Sequence, residues 1–215
     1  MKYYKIILNL VILFFTVAST ESFAQCSSYQ RTPTVRVNFN YGQVVYDNTK
    51  SNKEFPAMPY DSTMGLTSAQ LVNQVSATSY NIQLPNGTVC VGLDSISVHI
   101  GYPQINVYID KKYRPGSCNY NVIKAHENYH VRVQQEGLKF FSSKIEEAYQ
   151  IAAKKTKVKA VAAQNAQQTL NNMVSQIKNE VEPLLSYVEK RMVEENLAID
   201  TQSSYQKETA KCPKW

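Results

Sequence analysis

No two cysteines in this sequence stand in C-x-x-C spacing, which excludes a zinc ribbon and a thioredoxin-type redox pair. Positive charge is not clustered either. The formal net charge of +6 is spread along the chain, so nucleic acid is not an expected partner and only a mild affinity for anionic surfaces follows. The one long apolar run, residues 6–18, falls short of the roughly 20 residues of a spanning helix, which excludes a permanent membrane anchor there. Beyond Cys118, glycine and proline are confined to Gly137, Pro183 and Pro213, so little in that half interrupts helix. Histidine is scarce: His99, His126 and His130 are the full set.

Two of those three histidines form a motif. His126-Glu127-Asn128-Tyr129-His130 is H-E-x-x-H, set in a segment with helical character from about Asn121. Residues four apart lie one turn apart on the same helix face, so both imidazoles can reach one metal ion with Glu127 beside it. In a zinc hydrolase, two neutral histidines bind Zn²⁺, the ion lowers the pKa of a bound water, and the adjacent carboxylate takes its proton. The apolar positions Ile123, Val133, Phe141, Ala148 and Ala152 recur at helical spacing with His126, His130 and Gly137, which puts both histidines on the buried stripe. Two core histidines satisfied by hydrogen bonds are the plainer alternative.

The first residues suggest export. Lys2 and Lys5 precede the apolar run, and Ser22-Phe23-Ala24 supplies small residues where a signal peptidase cuts, so residues 1–24 read as a signal peptide and the mature chain as periplasmic or secreted. Gln25 before Cys26 argues against a lipoprotein. The four cysteines, Cys26, Cys90, Cys118 and Cys212, then predict two disulfides. Three pairings are open; Cys26 with Cys212 would tie the ends, and Cys90 with Cys118 would brace the segment before the metal helix. Roughly 190 mature residues suit one domain, residues 25–215.

Composition changes near Ser117. Residues 34–46, 79–84, 88–102 and 104–113 are rich in Val, Ile, Tyr and Thr with period-two alternation and predict strands. Leu84-Pro85-Asn86-Gly87 reads as a turn, Gly101-Tyr102-Pro103 as a hairpin link, and residues 67–75 as a short helix. The expected class is α+β and zincin-like: a strand-rich part, 25–117, forming a small, mostly antiparallel sheet packed on the H-E-x-x-H helix, a long helical hairpin over 118–205 turning within 154–166, and a tail, 206–215. An extended substrate could then pair with the edge of residues 104–110.

A zinc site needs a third protein ligand. In the second helix Val181, Leu185, Val188, Met192, Glu195 and Ile199 share one face, and Glu195 is the anomaly on it. A carboxylate on an apolar stripe is costly unless paired or metal-bound, which nominates Glu195. Glu146 and Glu147 lie on the histidine helix about 24 Å beyond His130 and cannot reach. His99 points away from the face carrying Ile96, Val98 and Ile100.

These features resemble a bacterial family of predicted secreted zinc-dependent proteases, a domain family without assigned function. That family carries H-E-x-x-H followed by Val or Arg, then a helical hairpin, then D-x-x-T-x-H-G. Here the first part is His126 to Val131, preceded by Cys118, and Tyr60, Gly65, Thr67 and Leu71 are similar to its upstream signature. Asp200-Thr201-Gln202-Ser203-Ser204-Tyr205 stands in the last part, with Tyr205 where the family has histidine. Either a carboxylate completes the site, with Glu195, Asp200 and Glu208 as candidates, or Tyr205 approaches the metal or a transition-state oxyanion. The resemblance implies a zinc metallopeptidase acting on peptide or protein substrates in the cell envelope, with His126 and His130 on Zn²⁺ and Glu127 catalytic; the helix-face argument adds Glu195 as third ligand, and Tyr205 is the further catalytic candidate. The rival is a non-catalytic envelope interaction protein with a structural or degenerate metal site, self-associating through the helical hairpin, whose Ala- and Gln-rich stretch 160–168 suits helix packing.

Overall fold

The computed structural model describes residues 26–56 and 63–215; the signal segment and Tyr60 lie outside the described residues. The fold is α+β. Five strands form one sheet: β1 (Thr34–Asp47), β2 (Gly65–Ala69), β3 (Val72–Gln83), β4 (Thr88–Ile109) and β5 (Lys159–Ala162). The helices are α1 (Cys118–Lys155), α2 (Ala166–Ile199) and α3 (Gln202–Thr209). The described residues divide into two compact units, one of residues 26–36, 75–98 and 147–181, the other of residues 37–56, 63–74, 99–146 and 182–215.

In the first unit β3 and β5 both pair with β4, β5 antiparallel from Thr88↔Ala162 to Val91↔Lys159. The predicted turn is present: Leu84 and Thr88 bond at 2.9 Å, and Gly87 takes φ +82°, where a side chain would be strained. Cys26, Leu84, Cys90 and Val158 form a buried cluster cross-linked by the Cys26–Cys90 disulfide. The helical reversal falls in the expected zone. The amide of Gln30 holds the chain as it leaves α1, its Nε2 donating to Thr156 O (3.2 Å) and its Oε1 accepting from Val158 N (3.0 Å).

In the second unit β4 lies between β1 and β2, and β2 runs antiparallel to it from Gly65↔Ile109 to Ala69↔Ile105. Ile105, Val107 and Ile109 are buried with Ile123, Val131 and Leu138 of α1 and Leu185, Val188 and Met192 of α2. Tyr102 crosses from the sheet to the helices, its hydroxyl donating to Gln134 Oε1 at 2.6 Å. The Cys118–Cys212 disulfide joins the first residue of α1 to the segment after α3. Neither of the two pairings considered above is therefore the one formed.

Four further expectations are corrected. Residues 67–75 are not helix but the end of β2 and the start of β3, because pairing with β4 outweighs a helix-compatible composition. Gly101-Tyr102-Pro103 is no hairpin link, since β4 runs through it. The buried positions step by two from Ile96 to Tyr102, then by three to Ile105, as one extra residue in a strand requires. Gly101 is needed for close approach: a Cβ there would stand 1.9 Å from Asn40 O of β1. Residues 104–110 offer no edge, since β4 is flanked by β1 and β2; the terminal strands of that order are β1 and β2. The tail 206–215 begins inside α3.

Candidate metal centre

The H-E-x-x-H segment occupies the third turn of α1, and His126 (3 % exposed), Glu127 (4 %) and His130 (8 %) are all buried. Their Nε2 atoms face each other at 3.2 Å. Asp200, just past the end of α2, closes the triangle, with Oδ1 2.9 Å from His126 Nε2 and 3.1 Å from His130 Nε2. These three side chains can hold a metal ion. Tetrahedral ligands at 2.0–2.1 Å from zinc stand about 3.3 Å apart, so the triangle is close to the required size.

The far side of the His130 ring is held by a hydrogen bond, and that of the His126 ring faces a carboxylate. His130 Nδ1 lies 2.9 Å from Asn196 Oδ1 of α2, which with Nδ1 protonated leaves the Nε2 lone pair directed at the triangle. Glu208 Oε2 of α3 stands 2.9 Å from His126 Nδ1. Nδ1 still has no aligned hydrogen-bond partner, so this contact is an off-axis electrostatic one. Tyr205, also on α3, lies against the His126 ring with centroids 5.1 Å apart and donates its hydroxyl to Asp200 Oδ1 at 2.8 Å. Ligand orientation by an acceptor on the second ring nitrogen is the usual arrangement around a histidine-bound metal.

The electrostatics call for positive charge at this point. Burial disfavours charging His130, but hydrogen bonds to Asp200 and Asn196 and the nearby Glu127 carboxylate prevail and hold its pKa at about 8. His126 is shifted in the same direction, burial again being outweighed by Asp200, Glu127 and Glu208. Burial pushes Asp200 upward, yet hydrogen bonds from His126, His130 and Tyr205 take it well below the ordinary carboxylate range. Glu127 behaves oppositely, its carboxyl raised by burial despite the two histidines and a hydrogen bond from Thr67.

Glu127 is positioned by β2. Thr67 Oγ1 lies 2.8 Å from Glu127 Oε2 and 3.1 Å from the Glu127 carbonyl, spanning side chain and backbone. A Cβ at Gly65 would meet Glu127 Oε1 at 2.6 Å and Ile123 Cγ2 at 2.7 Å, so only glycine leaves room for this placement. Beside Glu127 and His126 is a crevice of about 20 Å³, lined by Gly65, Ile123, Tyr205, Glu208 and Trp215 among others. That volume holds about one water molecule.

Of the predicted site residues, His126, Glu127, His130 and Tyr205 are brought together. Glu195 is not: it is 58 % exposed at the side chain, and Oε1 accepts from Arg191 at 2.9 Å. The buried stripe of α2 steps by four from Met192 to Asn196, so Glu195 turns to solvent and Asn196 inward, as 3.6 residues per turn demands. Asp200 takes the third corner and Glu208 the outer side of His126. His99 is exposed on β4. Asn196 and the packing role of Gly65 carried no sequence signal beyond their neighbours. The chain matches no family model, no curated protein and no solved structure.

Proposed function

We propose that this chain is an exported zinc-dependent peptidase of zincin-like design, whose metal is held by His126, His130 and Asp200. The observation that carries the reading is the convergence of two Nε2 atoms and one carboxylate oxygen within 3.2 Å of one another, with a buried, proton-seeking carboxylate on the next residue of the same helix. When bound, zinc would lower the pKa of a water toward about 7 and polarise a carbonyl. Glu127 would take the proton from the attacking water and return it to the leaving amine, a role suited to a carboxyl whose pKa burial has raised. Thr67 and Gly65 fix where that carboxylate sits. In the structure Tyr205 donates its hydroxyl to Asp200 Oδ1 at 2.8 Å. An extended peptide would find its strand partner in β2, the terminal strand that carries Thr67. Two disulfides, and no described helix long and apolar enough to cross a membrane, are compatible with a periplasmic or extracellular location.

Glu127→Gln tests this directly. The variant should keep its zinc and lose about 10²–10⁴-fold in peptide turnover, read with a quenched-fluorescence peptide library beside elemental analysis. Undiminished turnover would refute the assignment. A second reading, a structural metal in a non-catalytic envelope protein, is favoured by one observation: Glu127 is 4 % exposed, beside a crevice of only about 20 Å³. On that reading Glu127→Gln changes neither zinc content nor any hydrolysis, because the parent protein has none.

A further inference from the structure

On the side of Glu127 and His126 the site is only a crevice of about 20 Å³, too small for a polypeptide, although Asp200 at its other corner is 38 % exposed at the side chain. The residues closing the crevice on one side come from a single short segment: Tyr205, Glu208 and Thr209 of α3, and Trp215. That segment is weakly held by packing. α3 contains no buried residue, in contrast to α1 and α2, and its N-cap is a single hydrogen bond from Ser204 N to Thr201 Oγ1 (3.2 Å). It is held instead by point attachments. The Cys118–Cys212 disulfide ties it to the start of α1, Asn119 Nδ2 donates to Lys214 O at 2.7 Å, and Trp215 sits edge-on to Tyr113 at 6.0 Å while donating to Thr209 O at 2.6 Å. Its inward contacts are Glu208 on His126, the Tyr205 hydroxyl on Asp200 and the Tyr205 ring against that of His126.

From this we infer that α3 and the C-terminal residues after it are an autoinhibitory cover, locked by Cys118–Cys212, that swings about the α2–α3 junction at Asp200–Thr201 to admit substrate. The inference rests on the peptidase reading for its consequence, but the cover itself is a property of the fold. Few apolar contacts and a single covalent tether make this the segment that opens first when the tether is cut. Cutting needs a dithiol reductant: the S–S bond is replaced by two protein thiols while the dithiol is oxidised to its cyclic disulfide. Cys118 is exposed and its partner Cys212 is 7 % exposed, whereas Cys26 (1 %) and Cys90 (0 %) are both buried, so Cys118 is the sulfur open to attack and the Cys26–Cys90 bridge is the better protected during mild reduction.

The test uses the three histidines as probes in the metal-stripped, oxidised protein. Carbethoxylation by diethyl pyrocarbonate, mapped by mass spectrometry, should be slow at His126 and His130 and fast at the exposed His99. In a Cys118→Ala/Cys212→Ala double variant, modification of His126 and His130 should accelerate at least tenfold with His99 unchanged. Fluorescence of Trp215, the sole tryptophan, should become more quenchable by iodide. Trp215→Ala, which keeps both disulfides, should give a smaller acceleration and covers the case in which the double variant does not fold. After zinc loading, the released proteins should turn over peptides at least tenfold faster than the parent. Unchanged histidine reactivity in folded variants would overturn the cover, as would exposed histidines without faster turnover in a protein that hydrolyses peptides. Exposed histidines in a protein that never binds zinc would leave the cover standing and overturn the peptidase reading.

Discussion

Glu127 is the residue whose surroundings say most about chemistry. A carboxylate 4 % exposed is costly unless its oxygens are satisfied, and here one is satisfied by Thr67 Oγ1 at 2.8 Å. Thr67→Val keeps the volume and removes the donor. It should cost about 1–3 kcal/mol of stability, read as a lower midpoint of denaturant unfolding, and should reduce peptide turnover while zinc content stays at the parent level. Loss of zinc with no loss of stability would mean that Thr67 serves the metal ligands rather than Glu127. The pair His126 and His130 was legible from sequence because one helical turn fixes their relation whatever the rest of the chain does. Asp200 was harder to choose, since four side chains within fourteen residues offered ligand atoms and the last turn of α2 decides which of them turns inward.

At the level of elements, that decision is a matter of helical phase. Extending the spacing Val181, Leu185, Val188, Met192 by three gives Glu195; extending it by four gives Asn196, and the latter is the inward residue, 2.9 Å from His130 Nδ1. Asn196→Ala should therefore weaken zinc binding about 10–100-fold, the usual cost of losing an outer-sphere partner, while Glu195→Ala leaves affinity unchanged. Titration against a chromophoric chelator reads both, and the reverse order would restore Glu195 to the site. The long helices followed from composition, because only Gly137 and Pro183 interrupt them and period 3.6 is sustained, whereas the turn between them followed from the need to bring a third ligand back to the histidines. The strands were less legible. Residues 67–75, at the end of β2 and the start of β3, look helix-compatible until β4 pairs with those strands, and β4 looks like two strands because its alternation slips between Tyr102 and Ile105. Both features depend on partners distant in sequence, which local pattern does not carry.

Across the whole chain, each disulfide stays within one unit: Cys26–Cys90 spans 64 residues in the first and Cys118–Cys212 spans 94 in the second. An even cysteine count predicted two bridges but not their partners, which depend on the three-dimensional path of the chain. In the second unit the tether, the Asp200–His126 contact and the α3 contacts all bring the C-terminal segment onto α1. A metal shared by His126, His130 and Asp200 would be a second, non-covalent bond between the same parts of the chain. The most direct test is the zinc content of the oxidised protein beginning at Gln25, by elemental analysis, beside Asp200→Ala and Glu195→Ala. The predicted result is about one zinc per chain in the parent and in Glu195→Ala, and loss of it in Asp200→Ala. No zinc in the folded, disulfide-bonded parent, or full retention in Asp200→Ala, would contradict the metal centre.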